Sequence, residues 1–206
     1  GDASSRFGDI ERIEVLKGPQ GTMYGGSNIG GAIKYVTRRP STESFEGRVK
    51  LLAGEQGIAD GEVSLNVPLN NEWAMRVYAY SKTDDGFMTN PNSPSPAFGL
   101  ISNNPEDVTK YEENAIRLSI AGQISDTFSV YATARFSDYD GPANNWSREL
   151  IDGAANSNTG NVPTGMQYST VLDTNNQPIH KRETVGASLE MNWELDGFDV
   201  TSITSY

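Results

Sequence analysis

Histidine and cysteine, which often act in catalysis and in binding transition metals, are scarce in this sequence. His180 is the only histidine and there is no cysteine. A multi-histidine metal site and a thiolate nucleophile are therefore excluded within the chain. Asp173 begins a stretch similar to a calcium loop, but Pro178 stands where an EF-hand requires glycine for its sharp turn. We predict no enzyme activity, no catalytic residue and no cofactor.

Acidic side chains gather where predicted strands meet long loops. They could bind a divalent cation together, but we interpret them as solvated carboxylates at the rim of a sheet. These residues are Asp84, Asp85, Glu112, Glu113, Asp138 and Asp140. The sequence therefore predicts no metal site.

A glycine-rich stretch, Gly18 to Gly31, has a composition that invites a phosphate-binding interpretation. It contains neither the Walker pattern, in which Lys directly follows the last glycine, nor the strand-GxGxxG-helix order of a dinucleotide site. We interpret these glycines as structural, because glycine permits tight turns and the close approach of neighbouring backbone.

Composition and charge limit the class of protein further. Of 206 residues, 36% are hydrophobic, and the mean hydropathy is -0.52. No run approaches the roughly 18 apolar residues of a spanning helix, so any membrane crossing must be made by strands. The net charge of -11 argues against a general nucleic-acid binder. Residues 1–40 carry six basic and four acidic side chains and the remainder is strongly acidic, which indicates two differently built regions.

From Phe45 onward, apolar and polar residues alternate in seven segments of about ten residues. This is the period that gives a β-strand one chemistry on each face. The links between segments fall into two classes. Short turns lie at Asn70-Asn71-Glu72, Ser125-Asp126 and Asp196-Gly197, while residues 83–110 and 140–180 form long loops.

Strands of this kind, with short turns at one end and long loops at the other, predict an all-β antiparallel transmembrane barrel segment. Its apolar face would contact lipid and its polar face the lumen. Trp73, Trp193 and Phe198 lie beside short turns, where an aromatic girdle would mark the membrane interface. A soluble β-sandwich or propeller has the same alternation with the apolar face toward a core, and it remains the alternative.

Residues 10–40 contain a strand from Ile10 to Lys17, a Gly-Pro turn, the glycine-rich stretch and a second strand from Ala32 to Thr37. This run resembles the end of the plug domain in TonB-dependent outer-membrane receptors. The resemblance rests on Glu11, Arg12, Glu14, Gly18, Pro19, Tyr24, Gly25, Gly30, Gly31, Arg38 and Pro40. It implies that residues 1–41 are the C-terminal part of a plug domain and residues 42–206 the N-terminal part of the barrel.

The resemblance also implies that the chain is a fragment of a longer receptor. The barrels of outer-membrane transporters have 22 strands around a plugged lumen, and a TonB box would precede residue 1. The first residues show no signal-peptide pattern. We therefore expect either that a signal peptide has been removed or that the N-terminus of the protein lies elsewhere.

The function that the resemblance implies is active transport at the bacterial outer membrane. Such a receptor binds an extracellular nutrient of the siderophore-iron, corrinoid or oligosaccharide class and imports it with energy supplied by TonB. Its partners would be the TonB system, outer-membrane lipid and the small ligand, with no nucleic acid. The alternative, from another class, is a soluble β-rich carbohydrate-binding or adhesive module.

Two groups of side chains are candidates for the lumen. Tyrosines and a tryptophan on inward faces or near loop ends could stack on a ligand; they are Tyr78, Tyr80, Tyr131, Tyr139 and Trp146. Charged residues on inward faces could pair with a plug that carries Glu11, Glu14, Arg38 and Arg39; they are Arg76, Arg117, Arg135, Glu62 and Glu190. We expect some cross-pairing between these charged sets.

Overall fold

A computed structural model describes residues 8–19, 21, 30–55, 57–86, 110–142 and 179–206. The described residues form two antiparallel sheets. The smaller sheet pairs β1 (Ile10–Lys17) with β2 (Gly31–Thr37). The larger has seven strands in chain order, β3 (Glu46–Ala53), β4 (Ala59–Pro68), β5 (Trp73–Asp84), β6 (Tyr111–Ser125), β7 (Phe128–Pro142), β8 (Ile179–Leu195) and β9 (Phe198–Ser205).

The register of the larger sheet keeps like residues on like faces. Val77 lies opposite Leu65 on one side and Leu118 on the other. Its neighbour Arg76 lies opposite Asn66 and Ser119. Because successive side chains point to opposite faces, these rows separate an apolar face from a polar face across the strands.

Three strands continue beyond the alternating segments that predicted them. β6 and β7 have 15 residues each and β8 has 17, and all three are extended at the ends that face the long loops. There the apolar face carries polar residues, such as Asn114 and Asp138, while the strand pairing continues. Since about 9–11 tilted residues cross a bilayer, these strands reach past the hydrocarbon layer.

The short turns have local chemical causes. The Asn70 side chain accepts hydrogen bonds from the backbone N–H groups of Glu72 and Trp73, both at 2.8 Å. Gly197 adopts φ 89°, which suits glycine in an Asp-Gly hairpin. The middle turn runs through Asp126 and Thr127, one residue later than predicted, because a register shift between Gln123 and Ser125 lengthens β6.

Burial in the larger sheet is the reverse of that in a water-soluble domain. On the polar face, Asn66 is 1% exposed and Arg76 7% exposed, whereas on the apolar face Leu51 is 79% and Val185 64% exposed. Water-soluble domains bury apolar side chains and expose charged ones. An open apolar face of this extent fits contact with lipid. The predicted fold class, an antiparallel segment of a larger barrel, is confirmed. We call the polar face of β4–β8 the polar wall.

The larger sheet is open among the described residues, where β3 and β9 each pair along one edge only. Within the same ranges, no helix has the length and apolar character needed to cross a membrane.

Candidate functional site: the N-terminal segment against the polar wall

The N-terminal segment, meaning the described residues between 8 and 44, contacts the polar wall through a buried carboxylate. Asp9 precedes β1 and has φ 55°, and its carbonyl accepts a hydrogen bond from the Arg38 backbone N–H at 3.0 Å. Its side chain is 0% exposed. Oδ2 accepts a hydrogen bond from Arg76 Nε at 2.6 Å, and Oδ1 accepts one from Arg76 Nη2 at 2.7 Å. A bidentate pair of this kind fixes both distance and orientation.

Arg117, from the neighbouring strand β6, adds a second cation to this carboxylate. Its Nη2 lies 3.4 Å from Asp9 Oδ2, and its guanidinium also donates to the Gly8 carbonyl at 3.4 and 3.5 Å. Burial raises the pKa of Asp9, but the hydrogen bond and charge of Arg76, with the charge of Arg117, outweigh burial and lower the pKa overall. Asp9 is therefore a carboxylate at neutral pH.

Tyr78 completes the pocket that holds this part of the chain. It is 5% exposed, and the Arg117 guanidinium lies 5.3 Å from its ring centre. A Cβ at position 8 would overlap the Tyr78 ring, so the close approach requires glycine there.

Asn66 on β4 holds the connection between β2 and β3. Its side-chain oxygen accepts from the Ser41 N–H at 2.9 Å, and its amide nitrogen donates to the carbonyls of Ser41 at 2.8 Å and Ser44 at 2.7 Å. One buried side chain thereby satisfies three backbone groups of an irregular segment, as buried polar groups require.

Arg39 forms a third attachment, on β7 and β8. Its two terminal nitrogens donate to the Glu190 carboxylate at 3.2 and 2.8 Å, and its guanidinium lies 4.4 Å from the Tyr131 ring centre. Beside it, a cleft of about 360 Å³ separates residues 39–43 from the turn ends of the sheet. The predicted pairing between the two charged sets is present for Arg39 with Glu190.

The other predicted pairings are satisfied differently. Glu11 and Glu14 both pair with Arg12 at 2.7 Å, and Lys34 approaches Glu14 at 3.3 Å, so these charges stay within the β1–β2 hairpin. Glu62 pairs with Lys50 at 3.1 Å on the adjacent strand. The Arg135 side chain lies against Gly186, where a Cβ would come within 2.6 Å of Nε.

The β1–β2 hairpin also contains most of the motif residues that carried the resemblance. Gly18 follows β1 with φ 84° and Gly31 begins β2 with φ 137°. Pro19 and Gly30 lie between these strands, while Arg38 and Pro40 follow β2. Tyr24 and Gly25 lie outside the described residues.

At the loop ends of β5–β8, a second group of side chains lies on the same polar wall. We call it the outer cluster: Lys82, Tyr111, Tyr139, His180 and Arg182. The Tyr111 and Tyr139 rings stack with centres 6.1 Å apart, and His180 lies 6.1 Å from Tyr139. Nearby, the Tyr80 hydroxyl donates to the Glu113 carboxylate at 2.7 Å.

The predicted aromatic candidates do not form one group, although the Tyr78 and Tyr80 rings lie 6.0 Å apart. Tyr78 lies under the N-terminal segment, Tyr131 lies beneath Arg39, and Tyr80 and Tyr139 lie toward the loop ends. Trp146 lies outside the described residues. A ligand-facing role for these side chains remains a prediction.

Asp9, Gly8 and Asn66 were missed as functional residues by the sequence reasoning. Asp9 directly precedes β1, and Arg76 and Arg117 were already assigned to the lumen as cations. A buried anion in the N-terminal segment was the available signal, but the fold was needed to choose Asp9 rather than Glu11 or Glu14.

Five of the six rim carboxylates have protein partners in the described part of the chain. Asp138 accepts from Asn114 at 3.3 Å, Asp140 from Lys181 at 2.6 Å, and Lys110 approaches Asp85 at 3.7 Å. In the described part of the chain, no three His, Asp or Glu side chains are grouped to hold a metal ion. The arrangement can bind and position groups through charge, hydrogen bonds and stacking.

Comparison with known proteins agrees with this architecture. Residues 3–32 match the family model described as TonB-dependent Receptor Plug Domain. A vitamin B12 transporter of Vibrio vulnificus is 31% identical over 180 residues, which cover 84% of this chain and 27% of that protein. A ferrioxamine receptor of Yersinia enterocolitica is 27% identical over 149 residues, covering 72% of this chain and 20% of that protein.

Solved structures share the fold. The ferric yersiniabactin uptake receptor of Yersinia pestis superposes with a TM-score of 0.72 at 20% identity, over 96% of this chain and 28% of that one. The ferripyoverdine receptor of the Pseudomonas aeruginosa outer membrane gives 0.68 at 18% identity, over 91% and 22%. The chain thus spans between a fifth and a third of each of these four proteins. The plug match, the curated relatives and the shared fold assign the chain to the TonB-dependent receptors of the bacterial outer membrane.

Proposed function

We propose that this chain is the part of an active-transport receptor in which the plug is fastened to the barrel wall. The observation that carries the proposal is the buried contact of Asp9 with Arg76 and Arg117. A carboxylate of the N-terminal segment lies between two arginines of adjacent barrel strands, with no exposure to solvent. A plug held in this way closes the lumen until another interaction moves it.

The three attachments support a division of the chain into two parts. Residues 1–41 act as the C-terminal part of the plug, and residues 42–206 supply barrel strands. The Asn66 hydrogen bonds to Ser41 and Ser44 support a boundary here, because they hold the connection just before β3 begins at Glu46. Each attachment includes charge or hydrogen bonds, so its release exposes polar groups to water rather than a hydrophobic core.

In the intact receptor, a small extracellular ligand binds on the loop side, and TonB engages the receptor and rearranges the plug. Imported ligands belong to the siderophore-iron, corrinoid or oligosaccharide class. No bond is made or broken in the ligand. The exposed apolar face of β3–β9 supports placement in lipid and disfavours a soluble carbohydrate-binding module, which would bury that face.

The experiment is uptake by the full-length receptor in its own bacterium. Labelled ferric siderophores, cyanocobalamin and an oligosaccharide are offered to wild-type cells, receptor-deletion cells and cells lacking TonB. We expect accumulation of at least one probe that requires both the receptor and TonB and stops when the proton gradient is collapsed. Recovery of the receptor in the aqueous fraction, or accumulation unaffected by loss of TonB, would contradict the proposal.

A further inference from the structure

Residues 39–44 cross the polar wall at its turn end, between attachment points on two different strands. Asn66 on β4 holds Ser41 and Ser44, and Glu190 on β8 holds Arg39. In the sheet order, β5, β6 and β7 separate these two strands. We call residues 39–44 the strap, because they join distant strands of one sheet.

The cleft of about 360 Å³ lies between the strap and the sheet. Residues 39–43 line one side of it, and the turn ends of β5, β6 and β7 line the other through residues such as Ala74, Ala121 and Ser129. The strap is therefore attached at its two ends, with open space between its middle and the sheet.

The β4 end of the strap is held by neutral, buried hydrogen bonds. Asn66 is 1% exposed, and its three hydrogen bonds go to backbone atoms of Ser41 and Ser44. The Ser41 hydroxyl also accepts a hydrogen bond from the Glu43 backbone N–H at 3.2 Å, which closes a local turn. Separation of this end would leave a buried amide without partners, which is costly.

The β8 end is held by an ion pair that water reaches. The Arg39 and Glu190 side chains are 51% and 20% exposed. A pair with this exposure contributes little to stability and is weakened by salt. Glu190 also accepts a hydrogen bond from Asn192 Nδ2 at 3.0 Å, so it keeps a partner when Arg39 leaves. The β8 end therefore separates from the wall more easily than the β4 end.

We propose that the strap is a hinge with a fixed end at Asn66 and a releasable end at Glu190. When the plug is displaced, Arg39 leaves Glu190, and the chain up to Pro40 swings away and opens the cleft, while Ser41 stays on β4. Pro40, whose ring fixes φ, separates the moving part from the held part. This inference rests on the proposed function and adds which part of the plug segment stays on the wall.

The test measures distances by electron paramagnetic resonance in the purified full-length receptor, in a background without other cysteines. Spin labels at positions 71 and 43 report on the fixed end, and labels at positions 71 and 38 report on the plug side. Asp9→Asn combined with Arg39→Gln removes the other two attachments and imitates a displaced plug. We expect the 38–71 distance to shift by roughly 5 Å, about one inter-strand spacing, while the 43–71 distance stays as in the wild type.

Three further samples complete the comparison. High salt should replace Arg39→Gln in the Asp9→Asn receptor, because salt screens the exposed pair. Asn66→Asp, added to the double variant, should free the label at position 43 as well, because a carboxylate cannot donate to the Ser41 and Ser44 carbonyls. Lys50→Gln is the matched control, since it breaks another exposed pair on the same wall, and it should change neither distance.

Three results would overturn the inference. Equal movement of both labels in the double variant would mean that the whole strap leaves the wall. A label at position 38 as fixed as in the wild type would mean that Arg39 is not the releasable end. A label at position 43 that does not respond to Asn66→Asp would mean that Asn66 is not the fixed end. These distances need neither TonB nor an imported ligand, so failure of the hinge is distinct from failure of the proposed function, which the uptake experiment detects.

Discussion

Asp9 and Arg76 form a bidentate ion pair that joins positions 67 residues apart, with Arg76 Nε 2.6 Å from Oδ2 and Nη2 2.7 Å from Oδ1. The side chains are 0% and 9% exposed, respectively. Removal of two charges from water is costly, and their attraction compensates only while both partners stay in place. The pair therefore makes seating of the plug an all-or-none arrangement at this point on the wall.

Replacement of Asp9 by Asn should loosen the plug. The change keeps the shape of the side chain but leaves Arg76 and Arg117 buried beside a neutral group, and loss of one partner of a buried pair costs about 3–5 kcal/mol. We expect faster protease cleavage within residues 10–40 of the full-length receptor in membranes. Glu11→Gln is the matched control, because Glu11 pairs with Arg12 on an exposed surface. Equal cleavage rates in the two variants would contradict the prediction.

Acid should loosen the same contact. The pKa of Asp9 is lowered in the seated plug from its ordinary value of 3.8. In the released plug, Asp9 has its ordinary pKa and binds a proton more readily than in the seated plug. The stabilisation by the ion pair is therefore fully present above pH 3.8 and is lost as the pH falls through the lowered pKa. Protease sensitivity of the wild-type plug should therefore rise in acid below pH 3.8, measured with an acid-active protease.

The Asp9→Asn receptor provides the comparison for this pH series. Its plug should be sensitive at neutral pH already and should lack the acid-dependent step. A step of the same size in both receptors would assign the titration to another carboxylate.

Gly31 and Gly30 should respond differently to the same substitution, although they are adjacent. Gly31 has φ 137°, and a Cβ there would press on the Leu16 carbonyl of the paired strand. A Cβ at Gly30 would instead have no described residue within 4 Å. Gly31→Ala should destabilise the β1–β2 hairpin by about 1–3 kcal/mol because of the strained conformation, seen as faster proteolysis and lower uptake of every ligand.

Gly30→Ala serves as the control and should leave both measurements near wild type. If the two variants lose stability equally, the backbone conformation at position 31 is not what requires glycine.

The faces of the strands could be predicted from the sequence, whereas the strand ends and the charge partners could not. Alternation along each strand predicted the faces, and the positions of Arg76, Arg117 and Glu190 on the polar wall followed from it. Strand ends at Tyr111 and Pro142 could not be predicted, because pairing continues through polar residues after the apolar period stops. The partner of each charged side chain could not be predicted either. Glu11, Glu14 and Asp9 are all acidic, and only the path of the chain brings Asp9 into contact with the polar wall.

The two faces of the sheet can be tested at adjacent residues of β7. Ala134 lies opposite Leu118 on the apolar face, and Thr133 lies opposite Ser119 on the polar wall. Arg at the lipid face near the bilayer midplane costs about 2–4 kcal/mol in a barrel. Ala134→Arg should therefore reduce the amount of assembled, heat-resistant receptor in outer membranes much more than Thr133→Arg. The reverse order would mean that the register is shifted by one residue.

The contact of Arg39 with Glu190 predicts rescue by charge exchange. Arg39→Glu and Glu190→Arg each place like charges where the structure has oxygen and nitrogen atoms 2.8 Å apart, so each should loosen the plug at its junction with the barrel. The double exchange restores opposite charges and should recover part of the wild-type protease resistance and uptake. Recovery will be incomplete because Arg39 also lies over the Tyr131 ring, and a carboxylate at position 39 would lose that attraction.

Arg39→Lys separates the two contributions to this contact. It keeps the positive charge but replaces a planar group that donates two hydrogen bonds to Glu190 and stacks on Tyr131. Since the Arg39 side chain is 51% exposed, its charge alone contributes little to the stability of the seated plug. We expect Arg39→Lys to reduce the free energy that holds the plug in place by about 1 kcal/mol. Its cleavage rate should lie between those of wild type and Arg39→Glu. A double exchange no better than either single change would show that the two residues do not act through each other.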